Sequence, residues 1–172
     1  MMVYFDTTYL DYPSADDIAV VMIMPGCGHN CPGCQNPELQ KFRRPIDNIE
    51  LISDLCKQLY DRCKRNETNK VVLSGGDCLH LNNRLLTRVI CENFGHKLDI
   101  CIYTGYDIEY VKKLQITGVK YFKCGKYLKE FSRDSQKTDS SFILASSNQD
   151  FYDGNYNKLS NNGILNFKNS EE

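Results

Sequence analysis

Three cysteines fall within eight residues of this chain, Cys27-Gly28-His29-Asn30-Cys31-Pro32-Gly33-Cys34. Thiolates spaced x3 and x2 on one loop can all turn toward a single soft metal centre. A structural zinc wants four protein ligands, so three cysteines leave it one short. His29 could supply the fourth, but it stands two residues from both Cys27 and Cys31, which crowds a tetrahedral site. A distant cysteine is the other source. A 4Fe–4S cluster held by Cys27, Cys31 and Cys34 instead keeps one iron without a protein ligand, open to a small molecule. The third reading is a turn without metal, and three cysteines beside Pro32 and Gly33 have no packing reason to be there. The residues favour the cluster, then zinc.

The remaining cysteines behave differently. The chain carries nine cysteines in 172 residues, and six of them (Cys56, Cys63, Cys78, Cys91, Cys101 and Cys124) stand singly. An odd count and the lack of a basic segment ahead of Ile18 argue against a secreted, disulfide-framed protein. Cys56, Cys63, Cys91 and Cys101 fall at apolar positions and read as small core residues. Cys78 follows Gly75-Gly76-Asp77 and also reads as a packed hydrophobe. His29, His80 and His96 read as solvated or loop residues.

Composition bounds the rest. With 21 basic and 22 acidic residues the formal charge is −1, so no basic excess exists to bind nucleic acid by neutralising phosphates. Hydrophobic residues make up 41% and aromatics 11%, enough for a buried core. The longest apolar run, Ile18 to Met24, spans seven residues and is far too short to cross a bilayer. The expectation is a soluble, cytoplasmic single domain over 1–172, with its core at about 18–149. Residues 150–172 are expected to be partly irregular, fraying from Asn169 to Glu172.

Strands and helices alternate around these loops. Ile18–Met24 reads as a buried strand. Asp47 to Lys64 places Ile49, Ile52, Leu55, Cys56, Leu59 and Cys63 at steps of three and four, an amphipathic helix with Asp47 and Glu50 as a capping pair. Lys70–Ser74 reads as a strand, Asn83–Asn93 as a helix with Leu85, Leu86, Val89 and Ile90 inward, and Asp99–Tyr103 as a strand. Asp107–Leu114 reads as a short helix and Val119–Phe122 as a fourth strand. Lys120, Lys123, Lys126 and Lys129 form a basic run, best read as a solvated face. This order gives βαβ units and a parallel sheet, in which reactive groups gather at the carboxyl ends of strands. The cysteine loop, Gly75 to Asp77 and Thr104-Gly105 each follow a strand directly, so all three are expected to converge on one edge.

Cys27-x3-Cys31-x2-Cys34 is the cluster motif of radical S-adenosylmethionine enzymes, and Met24 to Glu38 resembles the cysteine loop of anaerobic ribonucleoside-triphosphate reductase activating proteins. The resemblance continues through Leu73-Ser74-Gly75-Gly76-Asp77, Tyr103-Thr104-Gly105-Tyr106, Gly125-Lys126-Tyr127 and Ser146-Ser147-Asn148-Gln149. The chain departs from that pattern at Cys78 (usually Pro), Cys124 (Asp), Gln35 (an aromatic), Asp150 (Arg) and Tyr12 to Asp17 (a Gly-rich turn).

The resemblance implies an α/β fold, a shortened, partly open (β/α) barrel of the radical SAM type. It implies that Cys27, Cys31 and Cys34 hold a 4Fe–4S cluster that binds and reductively cleaves S-adenosylmethionine. Gly75, Gly76 and Asp77 would meet the methionine amino group, Thr104 and Gly105 the ribose or adenine, and Asn148 the cofactor. The implied activity is an oxidoreductase-type activase that generates a glycyl radical on the large subunit of anaerobic ribonucleoside-triphosphate reductase, with a one-electron donor such as a flavodoxin. No catalytic residue beyond cluster and cofactor is implied. The alternatives are another small radical SAM enzyme, with a different glycyl-radical partner or a nucleoside-like substrate, and a non-catalytic zinc-binding module.

Overall fold

The computed structural model describes residues 3–15, 17–41 and 44–167; the expected frayed tail from Asn169 lies outside them. Four parallel strands form the centre of a six-stranded sheet: β2 (Ala19–Met24), β3 (Lys70–Gly75), β4 (Asp99–Thr104) and β5 (Tyr121–Cys124). Their near-continuous apolar runs suit strands buried on both faces. Two antiparallel strands complete the order β1-β2-β3-β4-β5-β8, namely β1 (Tyr4–Thr8) and β8 (Asp150–Asp153). The fold is α/β, and this sheet is open: β1 and β8 end it without pairing to each other.

Helices α1 (Ile49–Arg65), α2 (Arg84–Phe94) and α3 (Ile108–Leu114) are the crossovers between the parallel strands. Their buried residues Leu59, Leu86, Ile90 and Val111 join Val20, Met22, Leu73, Ile102 and Phe122 of the sheet in one core. The helix boundaries follow the apolar periodicity, but the cap of α1 is Asn48, whose side chain accepts from the Leu51 amide at 2.9 Å, in place of the expected Asp47–Glu50 pair. In α2, Leu86, Thr87, Ile90 and Cys91 are buried, while Leu85 is exposed and Val89 only partly covered.

The opposite face carries Ala19, Val21, Val72, Cys101 and Phe151, and is covered by Tyr12, Phe142, Leu144 and Leu165. Phe142 and Leu165 belong to a small second sheet of β6 (Gln136–Lys137), β7 (Ser141–Ile143) and β9 (Ile164–Asn166). Two apolar islands in a polar stretch thus become a cover for the sheet. The region from 150 onward also supplies β8, whose register sets Cys124 opposite Asp150.

Candidate functional site

The carboxyl ends of β2, β3 and β4 lie side by side, and their loops meet. Gly26 leaves β2 and its amide donates to the Leu39 carbonyl at 2.7 Å, which closes the cysteine loop on itself through a short 3-10 helix at Pro37–Gln40. The Gly-Gly loop runs directly against it: Gly76 N donates to Met24 O and Asp77 N to Gly26 O, both at 2.9 Å. This approach requires glycine. A Cβ at Gly76 would stand 2.5 Å from Gly26 O and 2.7 Å from Leu39 O, and Gly75 adopts φ +125° with Met24 N 2.5 Å from where its Cβ would be.

Asp77 fixes the third loop. It is 1% exposed and its carboxylate accepts from Leu79 N (2.8 Å), Thr104 Oγ1 (2.9 and 3.0 Å to the two oxygens), Gly105 N (2.9 Å) and His29 Nε2 (2.6 Å). Since the carboxylate only accepts, this network assigns the imidazole proton to Nε2. Asn83 braces the loops from beneath, donating to Pro25 O at 3.0 Å and Asp77 O at 2.9 Å.

One cavity of about 370 Å³ is lined by Cys27, Cys31 and Cys34 together with Gly75, Gly76, Thr104 and Gly105. Eight of the nine expected site residues are therefore assembled in one place, seven on the cavity wall and Asp77 behind it. Asn148 is not among them: it is exposed, its amide donates to Lys126 O at 2.8 Å, and its oxygen accepts from Ser146 Oγ. Its neighbour Gln149 lines the cavity, donating to Gly125 O at 2.9 Å.

The three thiols fit an iron–sulfur cluster. All of the nine cysteines are free thiols, and three of them, on one loop, line the same space as the Gly75-Gly76 backbone, which carries no side chain. Burial pushes the Cys27 thiol up to about 11, so its thiolate needs a cationic centre beside it. The His29 amide already donates to Cys27 Sγ at 3.5 Å, the kind of contact that supports a metal-bound sulfur. Among the described residues no three His, Cys, Asp or Glu side chains are gathered as a single metal ion requires.

Comparison with known proteins follows the same line. The 4Fe-4S single cluster domain family matches residues 17–152. The anaerobic ribonucleoside-triphosphate reductase-activating protein of Enterobacteria phage T4 is 31% identical over 134 residues, covering 73% of this chain and 81% of its own length. The protein of that name from Escherichia coli (strain K12) is 30% identical over 128 residues, covering 66% and 77%. That of Haemophilus influenzae is 28% identical over 138 residues, covering 71% and 85%. The chain belongs to this family of activating proteins. No solved structure matches it.

As a member of the activating-protein family, the chain departs from expectation at positions the structure explains. Cys78 is fully buried, its thiol directed at Leu73 O (3.4 Å) and Tyr103 O (3.5 Å), and burial raises it well above an ordinary thiol. Cys124 is buried on the helix side of the sheet and pushed up to about 12 by burial. Asp150 is held by Ser160 Oγ at 2.6 Å, Gly163 N at 3.1 Å and Lys158 Nζ at 3.0 Å, an edge-strand anchor.

Three expectations about polar side chains are corrected. His29 is nearly enclosed, 10% exposed at its side chain, with its ring edge-on to Tyr106 at 4.6 Å between centroids. His80 sits in a loop, as expected, but is buried there rather than on the surface. Lys123 is not part of a solvated face: it lines the cavity with its Nζ 5.0 Å from the Tyr103 ring centroid, and burial pushes its ammonium below the usual lysine range. Single positions in a loop or a charge run carry no period, so no local pattern marked His29 or Lys123 as inward-facing.

Proposed function

We propose that this chain is a radical SAM activase that installs a glycyl radical on the large subunit of anaerobic ribonucleoside-triphosphate reductase, with Cys27, Cys31 and Cys34 holding a 4Fe–4S cluster. The supporting observation is one cavity lined at once by the three-cysteine loop, the Gly75-Gly76 backbone and Thr104-Gly105, in a chain of the activating-protein family. Cys27, Cys31 and Cys34 would hold the cluster, which would supply the one-electron reduction that cleaves S-adenosylmethionine so that hydrogen can be taken from a glycine of the partner.

The chain's own residues bind, orient and shield. Gly75 and Gly76 offer backbone at a distance no side chain permits, which suits the methionine end of the cofactor. Thr104 and Gly105 line the wall where the nucleoside would lie. Asp77 acts from behind: its acceptor positions are engaged by Leu79, Thr104, Gly105 and His29, so it holds the loops and leaves cofactor contact to the backbone. Val21, Val72, Phe142 and Leu144 give the same cavity an apolar wall, and positioning is what the protein contributes when the cofactor carries the chemistry. The open sheet is read as the shortened, partly open (β/α) barrel, and its gap suits a substrate that is itself a large polypeptide.

The test mixes reduced, cluster-reconstituted protein with S-adenosylmethionine, a one-electron donor such as a flavodoxin, and the reductase large subunit. Formation of 5′-deoxyadenosine together with a glycyl-radical resonance on the large subunit is expected. Cofactor cleavage with no radical on that partner would direct the activity to another substrate. No cleavage by a fully loaded protein would refute the activase.

A further inference from the structure

We infer that His29 is a positioning residue that clamps the cysteine loop to the sheet and keeps its own backbone amide aimed at a cluster ligand. This rests on the reading of Cys27, Cys31 and Cys34 as cluster ligands and adds a residue to which that reading assigns no task.

The cysteine loop has few other ties. Its ends are secured by Gly26 N to Leu39 O, and within it the Cys34 amide donates to Cys31 O at 3.1 Å. Gly28 and Asn30 are exposed, Cys31 and Cys34 only partly covered, and Asn30 adopts φ +50°. His29 alone among residues 28–34 sends its side chain to the floor of the site. Its Nε2 meets Asp77 Oδ2 at 2.6 Å, and the same oxygen accepts the Gly105 amide. One carboxylate therefore joins the loops after β2, β3 and β4.

The surroundings are shaped around this ring. A Cβ at Gly105 would lie 2.5 Å from His29 Cδ2 and 2.7 Å from Nε2. Tyr106 packs edge-on against it, and Tyr110 stacks on Tyr106 at 4.2 Å between ring centroids. With the ring held by Asp77 and Tyr106, the His29 backbone is held as well, and its N–H points to Cys27 Sγ at 3.5 Å. A hydrogen bond to a ligating sulfur stabilises the more negative, reduced state of a cluster and raises its potential. The clamp thus has a consequence for electron transfer that a merely structural histidine lacks.

Three variants test it. His29→Ala removes the clamp. His29→Gln places an amide nitrogen near the position of Nε2 and is expected to restore it. Gly105→Ala displaces the ring without altering either partner. In the cluster-free protein, hydrogen exchange at the Gly105 and Cys34 amides is expected to run roughly ten- to a hundredfold faster in His29→Ala, the factor for losing one hydrogen bond to a charged acceptor. In reconstituted protein the cluster potential shifts downward and iron is retained less well. His29→Gln returns both readouts toward wild type. Gly105→Ala reproduces the loss in wild type but adds nothing in the His29→Ala background, where no ring remains to collide with it. Unchanged exchange or an unchanged potential in His29→Ala overturns the clamp while the cluster reading stands. A wild-type protein that assembles no cluster overturns that reading and the clamp with it.

Discussion

Asn83 and Pro25 are 58 residues apart in sequence, and the Asn83 side-chain amide donates to the Pro25 carbonyl at 3.0 Å in a fully buried contact. Pro25 has just left β2, and Asn83 immediately precedes α2. The same nitrogen reaches Asp77 O at 2.9 Å, so one side chain supports the start of the cysteine loop and the Gly-Gly-Asp loop from below. Asn83→Ala leaves the Pro25 carbonyl without that donor in a buried site, which costs about 1–3 kcal/mol. Urea denaturation of the cluster-free protein checks this. A loss below a few tenths of a kcal/mol would mean the brace carries no weight.

Gly76 and Gly28 make a matched pair for substitution. A Cβ at Gly76 runs into the Gly26 and Leu39 carbonyls, which are backbone and cannot turn aside, whereas at Gly28 the nearest atoms are His80 ring atoms at 3.8 Å. Gly76→Ala is expected to destabilise by about 1–3 kcal/mol and to abolish the cofactor's effect on the cluster spectrum. Gly28→Ala is expected to stay within about 0.5 kcal/mol of wild type. Denaturation midpoints of the two variants, measured side by side, decide the matter.

The far end of the sheet holds a charge cluster with a defined pH signature. Asp99 Oδ2 accepts from Lys70 Nζ at 2.5 Å and Lys120 Nζ at 2.9 Å. Burial alone would raise the Asp99 carboxyl, but the hydrogen bonds and charges of the two lysines outweigh it and hold the carboxyl below the usual range. A carboxyl depressed in the folded state contributes stability above its unfolded value of about 3.9 and loses it as the pH falls through the folded value. Asp99→Asn should cost on the order of 1 kcal/mol at pH 7, kept small by the partial exposure of all three groups. The two proteins should converge as the pH drops below the ordinary carboxylate range. A difference that persists in acid would place the effect in packing.

Lys123 carries the opposite sign. Its ammonium is the single Lys or Arg group among the described residues that line the cavity, and burial lowers its pKa. A lysine depressed in the folded state penalises folding while it is charged, and the penalty fades as the pH rises toward the unfolded value of about 10.4. Lys123→Met should therefore be more stable than wild type at pH 7, with the gap narrowing toward pH 10. Equal stability at both would show that the cavity solvates the charge fully.

The parallel centre of the fold was legible because apolar runs such as Ala19–Met24 and Ile100–Cys101–Ile102 are buried on both faces and leave a local mark. So was the meeting of three loops, since a parallel sheet sends all its strand ends the same way. The edge strands were not. Tyr4–Thr8 reads YFDTT and Asp150–Asp153 reads DFYD, short polar stretches whose strand form comes from their neighbours β2 and β5. The second sheet hides in a Ser- and Asn-rich region because only Phe142 and Leu165 of its strands are buried. Within the site, the cysteines and glycines declared themselves by type and spacing. His29, Asn83 and Lys123 did not, because what each does depends on partners about 20 to 58 residues away.

The central claim is that Cys27, Cys31 and Cys34 would hold a 4Fe–4S cluster able to bind S-adenosylmethionine in the cavity that Gly75 and Gly76 also line. Iron and sulfide content with electron paramagnetic resonance, after anaerobic reconstitution and dithionite reduction, tests it most directly when recorded with and without S-adenosylmethionine. Four irons per chain are expected, with a reduced 4Fe–4S signal that changes on adding the cofactor and is lost when any of the three cysteines becomes serine. Bound zinc without iron, or a cluster indifferent to the cofactor, would contradict it.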